Sequence, residues 1–115
     1  MIDNDLENLI SSLVFLNQVG LKPVILHGAG PMLSAALEEK KIDFSFIDGQ
    51  RVTSVEVRDV AYSVFKETNK KIVEALETQG AKAHGLISNI FECTMADPSL
   101  GYVGSIQSGD INLIN

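Results

Sequence analysis

The sequence predicts an α/β protein: a three-layer αβα sandwich with a mainly parallel sheet and a C-terminal β-hairpin. Three observations carry that expectation. Residues 5–20 and 54–79 each place apolar side chains at three- and four-residue spacing, the signature of an amphipathic helix. Short apolar runs bounded by glycine, proline or Asx residues lie between and after them, as strands do. Their order along the chain reads αβαβαβββ, with no internal repeat, low-complexity stretch or linker, so the 115 residues are expected to form a single domain.

Leu6, Leu9, Ile10, Leu13, Val14 and Leu16 form the apolar face of the first helix, with Asp3 or Asn4 as its cap and Gly20 as its stop. Pro23-Val24-Ile25-Leu26 is continuously apolar between a Gly-Leu-Lys turn and a glycine cluster, which predicts a strand covered on both faces and central in the sheet. Pro31 has the residue type favoured at the first helical position, and Met32, Ala35, Ala36 and Leu37 continue a helix that ends in Glu38-Glu39-Lys40-Lys41. Phe44-Ser45-Phe46-Ile47 reads as a brief neighbouring strand closed by the Asp48-Gly49 turn. Thr53-Ser54-Val55-Glu56 has the spacing of a capping box. It opens the longest helix, whose stripe Val57, Val60, Ala61, Val64, Phe65, Ile72, Ala75 and Leu76 ends near Gly80. Residues 81–87, 90–95 and 102–106 read as short strands separated by Ser88-Asn89 and by Ala96-Asp97-Pro98-Ser99, and a hairpin closes the chain.

Composition excludes several classes of partner. A net charge of −6, with 9 basic residues scattered along the chain, argues against nucleic acid or an anionic membrane. The expected partner is a small molecule or a protein. The single cysteine, Cys93, permits neither an internal disulfide nor a cysteine-based zinc site and suits a reducing compartment. No apolar run approaches the roughly 20 residues that span a bilayer, and the N-terminal Met1-Ile2-Asp3-Asn4-Asp5 is acidic where a secretory signal is basic. A cytoplasmic setting is expected, or a mitochondrial one for a eukaryotic precursor.

The chemistry concentrates at His27-Gly28-Ala29-Gly30-Pro31. A strand running through two glycines into a helix brings free backbone N–H groups and the positive helix end to one point, where an anion can bind, and glycine lets the ligand come close. The alternative is that these glycines serve the turn alone. Gly28-Ala29-Gly30-Pro31-Met32-Leu33 also matches the first two glycines of the dinucleotide fingerprint, with Asp48 where a ribose-binding acid would sit. Leu33 occupies the third glycine position and Pro31 lacks an N–H, which weakens that Rossmann reading. No Gly-Lys-Ser/Thr follows, so the P-loop pattern fails.

Asp48-Gly49-Gln50-Arg51-Val52-Thr53 forms a second constellation, a turn that presents Arg51 ahead of a capped helix. Arginine holds a carboxylate through two parallel hydrogen bonds. Arg51 and the Gly28 turn are expected on the same sheet edge, where together they could hold a ligand with two anionic ends. The alternative is a solvated arginine paired with Asp48 or Glu56. His27 reads as a structural histidine bonding the turn, and His84 has no partner by spacing. Cys93 reads as a packed strand residue, and Phe44, Phe46 and Phe65 as core. Lys66, Lys70 and Lys71 read as a solvated helix face, with Asn69 and Lys70 as possible borders of the pocket. No cluster of metal ligands is evident, so protein-bound metal is not expected.

In this order the residues resemble the N-terminal lobe of acetylglutamate kinase, within the amino acid kinase family. Val24-Ile25-Leu26-His27-Gly28-Ala29-Gly30-Pro31 is similar to the family's first glycine loop, and Ile47-Asp48-Gly49-Gln50-Arg51-Val52-Thr53 to its Gly-x-Arg-Val-Thr signature. Asn69-Lys70-Lys71-Ile72-Val73-Glu74-Ala75-Leu76 and Gly80-Ala81-Lys82-Ala83 resemble the long helix and the strand after it. Gly101-Tyr102-Val103-Gly104-Ser105-Ile106 resembles the return strand of the substrate-side hairpin. Residues 87–95 and Ala29 look most like the branch of fungal enzymes and bacterial bifunctional synthase-kinases.

The resemblance implies an amino acid kinase-like fold and phosphorylation of the side-chain carboxylate of N-acetyl-L-glutamate by ATP, a step of arginine biosynthesis. By it, Gly28, Ala29 and Gly30 would supply N–H groups near the transferring phosphoryl group and the acceptor oxygen, and Arg51 would bind a substrate carboxylate. Such transfer is mainly positioning and charge neutralisation, and no catalytic residue is assigned in this chain. ATP and Mg²⁺ would serve the full-length enzyme. The resemblance further implies that the family's lysine-bearing first strand and its nucleotide lobe lie outside these 115 residues. The chain alone is therefore expected to bind no cofactor and to be inactive. It also implies a homodimer through the helix at 54–79. A second reading is a non-catalytic arginine-sensing domain of an N-acetylglutamate synthase.

Overall fold

The computed structural model of the chain describes residues 4–88 and 90–109. Helix α1 (Asn4–Gln18) follows the predicted apolar stripe, and helix α2 (Gly30–Glu39) begins at the glycine turn with Pro31 in its first turn. Strands β1 (Phe46–Ile47) and β2 (Gln50–Arg51) precede the long helix α3 (Val55–Thr78). Strand β3 (Phe91–Met95), a 3₁₀ turn (Pro98–Leu100) and strand β4 (Gly104–Gly109) complete the order.

The chain divides into two compact units, Met1–His27 with Glu67–Leu86, and Gly28–Lys66 with Ile87–Asn115. In the first, Ile10, Leu13 and Val14 of α1 are buried with Leu76 of α3 and Ala81, and Leu6, Ile72 and Ala75 close around them. Both helices stop as their glycines predict. Gly20 and Gly80 adopt φ of 94° and 92°, a region that costs glycine nothing. The amides of Leu21 and Ala81 return to the carbonyls of Leu16 and Leu76 at 3.0 and 3.1 Å. Asp3, one of the two expected caps of α1, lies outside the described residues.

In the second unit, Leu33 and Leu37 of α2 bury against Val57 of α3, flanked by Ile42, Phe44, Val60, Ala61 and Val64. Strands β1 and β2 pair antiparallel across Asp48-Gly49, with Phe46 opposite Arg51 and Ile47 opposite Gln50. Positive φ at Asp48 (49°) and Gly49 (80°) gives the turn the twist that two-residue hairpins favour. Strands β3 and β4 form the expected closing hairpin, with Cys93 opposite Ile106 and an irregularity between Glu92 and Cys93. The 3₁₀ turn between them is capped by Asp97, whose Oδ1 accepts from the Ser99 amide at 2.9 Å and from the Ser99 hydroxyl at 2.8 Å. A parallel bridge joins Thr53 to Gly101: the Thr53 amide donates to Leu100 O at 2.7 Å and the Tyr102 amide to Thr53 O at 2.8 Å.

Several expectations are corrected. Residues 23–26 and 81–87 form no strand, and among the described residues the Thr53–Gly101 bridge is the only parallel pairing; the two ladders are both antiparallel. Leu26 is 93% and Val24 69% exposed. A continuous apolar run signals that a strand would be covered, but it supplies neither the cover nor the flanking strands that a parallel ladder requires. The pairs that do form are those a local turn can close. The cap of α3 is shifted by one residue from the predicted box: Ser54 Oγ accepts from the Val57 amide at 3.2 Å, and Thr53 instead donates to Arg51 O at 3.0 Å. Cys93 is exposed, and Phe46 and Phe65 are not core residues. Of the predicted Ser88-Asn89 separator, Asn89 lies outside the described residues. Among the described residues no helix is long and apolar enough to cross a membrane.

A candidate anion-binding site around Arg51

Arg51 reaches the candidate site because the two-residue turn sets it opposite Phe46 on the hairpin. Its guanidinium carbon lies 4.7 Å from the centroid of the Phe46 ring and 4.8 Å from that of Phe44, and the two rings stand nearly perpendicular at 83°. Ring faces attract the cation and hold its plane. Nη2 donates to Ser34 Oγ at 2.9 Å and more weakly to Gly30 O at 3.4 Å. Nη1 is buried without a hydrogen-bond partner among the described residues. Neither Asp48 nor Glu56 pairs with Arg51, so the solvated ion pair considered from spacing does not form among the described residues. An unpaired N–H on a buried nitrogen is costly, and a carboxylate oxygen that reached it would satisfy it.

The glycine turn meets this arginine through Gly30. Ala29 is buried and caps α2 with its backbone only, its carbonyl accepting from the Leu33 amide at 2.8 Å. A Cβ built on Gly28 or Gly30 would meet nothing within 4 Å, and neither residue has the positive φ that excludes side chains. Nothing inside the chain therefore demands glycine at these positions. Open space beside bare backbone at a helix N-terminus is what an approaching anion needs. Leu33, at the third position of the dinucleotide fingerprint, is instead a core residue, so the close helix packing that a glycine there would allow is absent.

Gly30 and Arg51 share an open cavity of about 420 Å³ with Thr53, Arg58, Phe65 and Tyr102. Sequence reasoning missed Ser34, Arg58 and Tyr102. The first was legible: Ser34 lies one helical turn after Gly30, on the same face of α2. Arg58 and Tyr102 come together through the Thr53–Gly101 bridge, for which no local pattern exists.

His27 does not bond the turn. Its Nε2 lies 3.3 Å from the Asn69 amide group, and its Nδ1 is buried without a partner among the described residues. Asn69 therefore serves His27, and Gly85 makes room for it, since a Cβ there would run into the Asn69 Oδ1. Lys70 and Lys71 pair with Glu74 and Glu67 at 3.9 and 3.4 Å on the exposed face of α3, while Lys66 is exposed, as expected. His84 is exposed. Among the described residues no group of three His, Cys, Asp or Glu side chains could hold a metal ion.

This α/β chain, with its glycine turn and its arginine hairpin, belongs to the amino acid kinase family, whose sequence model matches residues 2–115. Acetylglutamate kinase of Jannaschia sp. (strain CCS1) is 39% identical over 98% of the chain, which spans 41% of that protein. The bifunctional protein argC, mitochondrial, of Dictyostelium discoideum is 41% identical over 92% of the chain, which spans 13% of it. Among solved structures, smu.665 from Streptococcus mutans UA159 superposes with a TM-score of 0.82 at 24% identity, over 99% of this chain and 47% of that one. The chain thus spans less than half the length of each of these proteins.

Proposed function

We propose that this chain forms the acyl-substrate side of an acetylglutamate kinase, the part that binds N-acetyl-L-glutamate while its side-chain carboxylate is phosphorylated by ATP in arginine biosynthesis. The observation that carries the reading is the buried Nη1 of Arg51, without a partner among the described residues, on a side chain that lines one cavity with Gly30. A carboxylate would complete the hydrogen bonds of Arg51, and the bare backbone of Gly28 and Gly30 would leave room for the acceptor oxygen and the phosphoryl group. The similarity to acetylglutamate kinases at about 40% identity supports the same substrate. ATP and Mg²⁺ supply the phosphoryl group and its charge neutralisation in that reaction, and the chain contributes binding and orientation of the acceptor.

A titration of the isotope-labelled chain with N-acetyl-L-glutamate, followed by amide chemical shifts, tests this. Shifts confined to residues around Gly30 and Arg51, and abolished by Arg51→Ala, are expected. Identical responses of wild type and variant would remove Arg51 from the role. A response to L-arginine in place of N-acetyl-L-glutamate would point to a regulatory domain instead.

We also propose a homodimer through α3, whose Val55 and Tyr62 are large apolar side chains left 45% and 51% exposed on one stripe. Sedimentation at micromolar concentration should show a dimer, and a monomer at all concentrations would refute it. A cytoplasmic or mitochondrial setting accords with the proposed pathway.

A further inference from the structure

We propose that Arg58 is a second carboxylate-binding residue of the Arg51 cavity, joining Arg51 on the ligand carboxylate that is not the phosphoryl acceptor. The inference rests on reading this cavity as the site of an N-acylated dicarboxylic amino acid. Arg58 and Arg51 line the same cavity, and none of its lining residues is acidic, although the chain as a whole carries a charge of −6. Two cations set among Leu33, Val57, Phe65 and Val103, with no lining acid to neutralise them, form an anion acceptor.

The Arg58 side chain is held in advance. Its guanidinium carbon stands 4.5 Å from the centroid of the Tyr102 ring. Nε and Nη2 both donate to a single oxygen, Asp59 Oδ1, at 3.3 and 3.2 Å. Nη1 carries no partner among the described residues. Asp59 is well exposed, so solvent screens it and it neutralises little of the arginine charge. One face and one edge of the fork are therefore fixed while a donating edge stays open, and a ligand need not order the side chain itself.

The backbone supports this placement. The Tyr102 amide is tied to Thr53 O at 2.8 Å. Gly101 (φ 71°) lies so close to Thr53 that a Cβ on it would run into the Thr53 carbonyl. The fold thus brings a Tyr102 platform up to the first turns of α3, where Arg58 sits. An arginine that only covered apolar surface would need no such arrangement.

Calorimetric titration of the 115-residue chain with N-acetyl-L-glutamate and with its α-amide tests the assignment. Arg58→Gln, on an exposed helical position, should change the melting temperature only slightly, weaken the free acid about tenfold and leave the α-amide unaffected. Equal weakening of acid and amide, or no weakening of the acid, would overturn the inference. Glutarate separates its fate from that of the substrate reading. If glutarate binds and N-acetyl-L-glutamate does not, the substrate reading fails, while loss of glutarate binding in Arg58→Gln keeps Arg58 in place. If N-acetyl-L-glutamate binds equally to wild type and Arg58→Gln, the substrate reading stands and the Arg58 role falls. Uptake of neither ligand at millimolar concentration refutes both.

Discussion

Ser34 Oγ accepts a 2.9 Å hydrogen bond from Arg51 Nη2 and so joins the β1–β2 hairpin to helix α2. That bond, with the two phenylalanine rings, decides which edge of the guanidinium remains for a ligand. Removing it in Ser34→Ala should weaken N-acetyl-L-glutamate binding by about 1 kcal/mol, roughly fivefold, with little change in thermal stability. Isothermal calorimetry beside a melting curve reads both quantities, and an unchanged affinity would show that the hydroxyl does not orient Arg51.

Two glycines should behave in opposite ways. Gly30→Ala puts a methyl into open space at the start of a helix, so the chain should fold as well as the wild type while its affinity for N-acetyl-L-glutamate drops. Gly101→Ala combines a positive φ with a collision against Thr53 O and should cost about 1–3 kcal/mol of stability. Denaturant melts of the two variants separate them, and a Gly30→Ala chain that loses stability as Gly101→Ala does would mean that the turn is architectural.

Leu37 is fully buried between Leu33 and Val57 at the centre of the second unit. Leu37→Ala should destabilise that unit by about 2–5 kcal/mol, the range for a leucine removed from a packed core. Urea unfolding measures it. A value under about 1 kcal/mol would imply that the site collapses around the smaller side chain.

The 3₁₀ turn carries a pH dependence. The Ser99 amide, and then the Ser99 hydroxyl, hold the Asp97 carboxyl below its ordinary value of 3.8. A carboxyl with a lowered folded pKa stabilises fully above its unfolded pKa, and that contribution disappears as pH falls through the folded value. Wild type should therefore lose stability more steeply than Asp97→Asn below about pH 4, while the difference between them stays constant above it. Thermal melts across that interval check the sign.

The helices were legible because periodicity and glycine stops are local: the stripe of α1 and the φ values at Gly20 and Gly80 follow directly from short windows of sequence. Arg51 stands out in the sequence as a candidate carboxylate ligand from its position after the Asp48-Gly49 turn, and the structure puts it on the rim of a cavity. Its aromatic neighbours were not recognised, although a two-residue turn at 48–49 already places Phe46 opposite residue 51. Phe44 does pack against the core, whereas Phe46 is exposed: apolarity alone does not distinguish a packed ring from one that chiefly faces a cation. Arg58 and Tyr102 were illegible for a different reason: they meet through a single bridge between residues far apart in sequence. The expected strand at 23–26 failed because its stability depends on neighbours that no window of its own sequence encodes.

The Val24-Ile25-Leu26 run also has a consequence expected in concentrated solutions of this chain. Residues of high strand propensity that join no ladder and face solvent offer a template onto which an identical run from another molecule can add, copy upon copy. At neutral pH the charge of −6 opposes such stacking. As acid titrates the carboxylates and this charge vanishes, turbidity should rise sharply, and a single Ile25→Lys exchange should delay it.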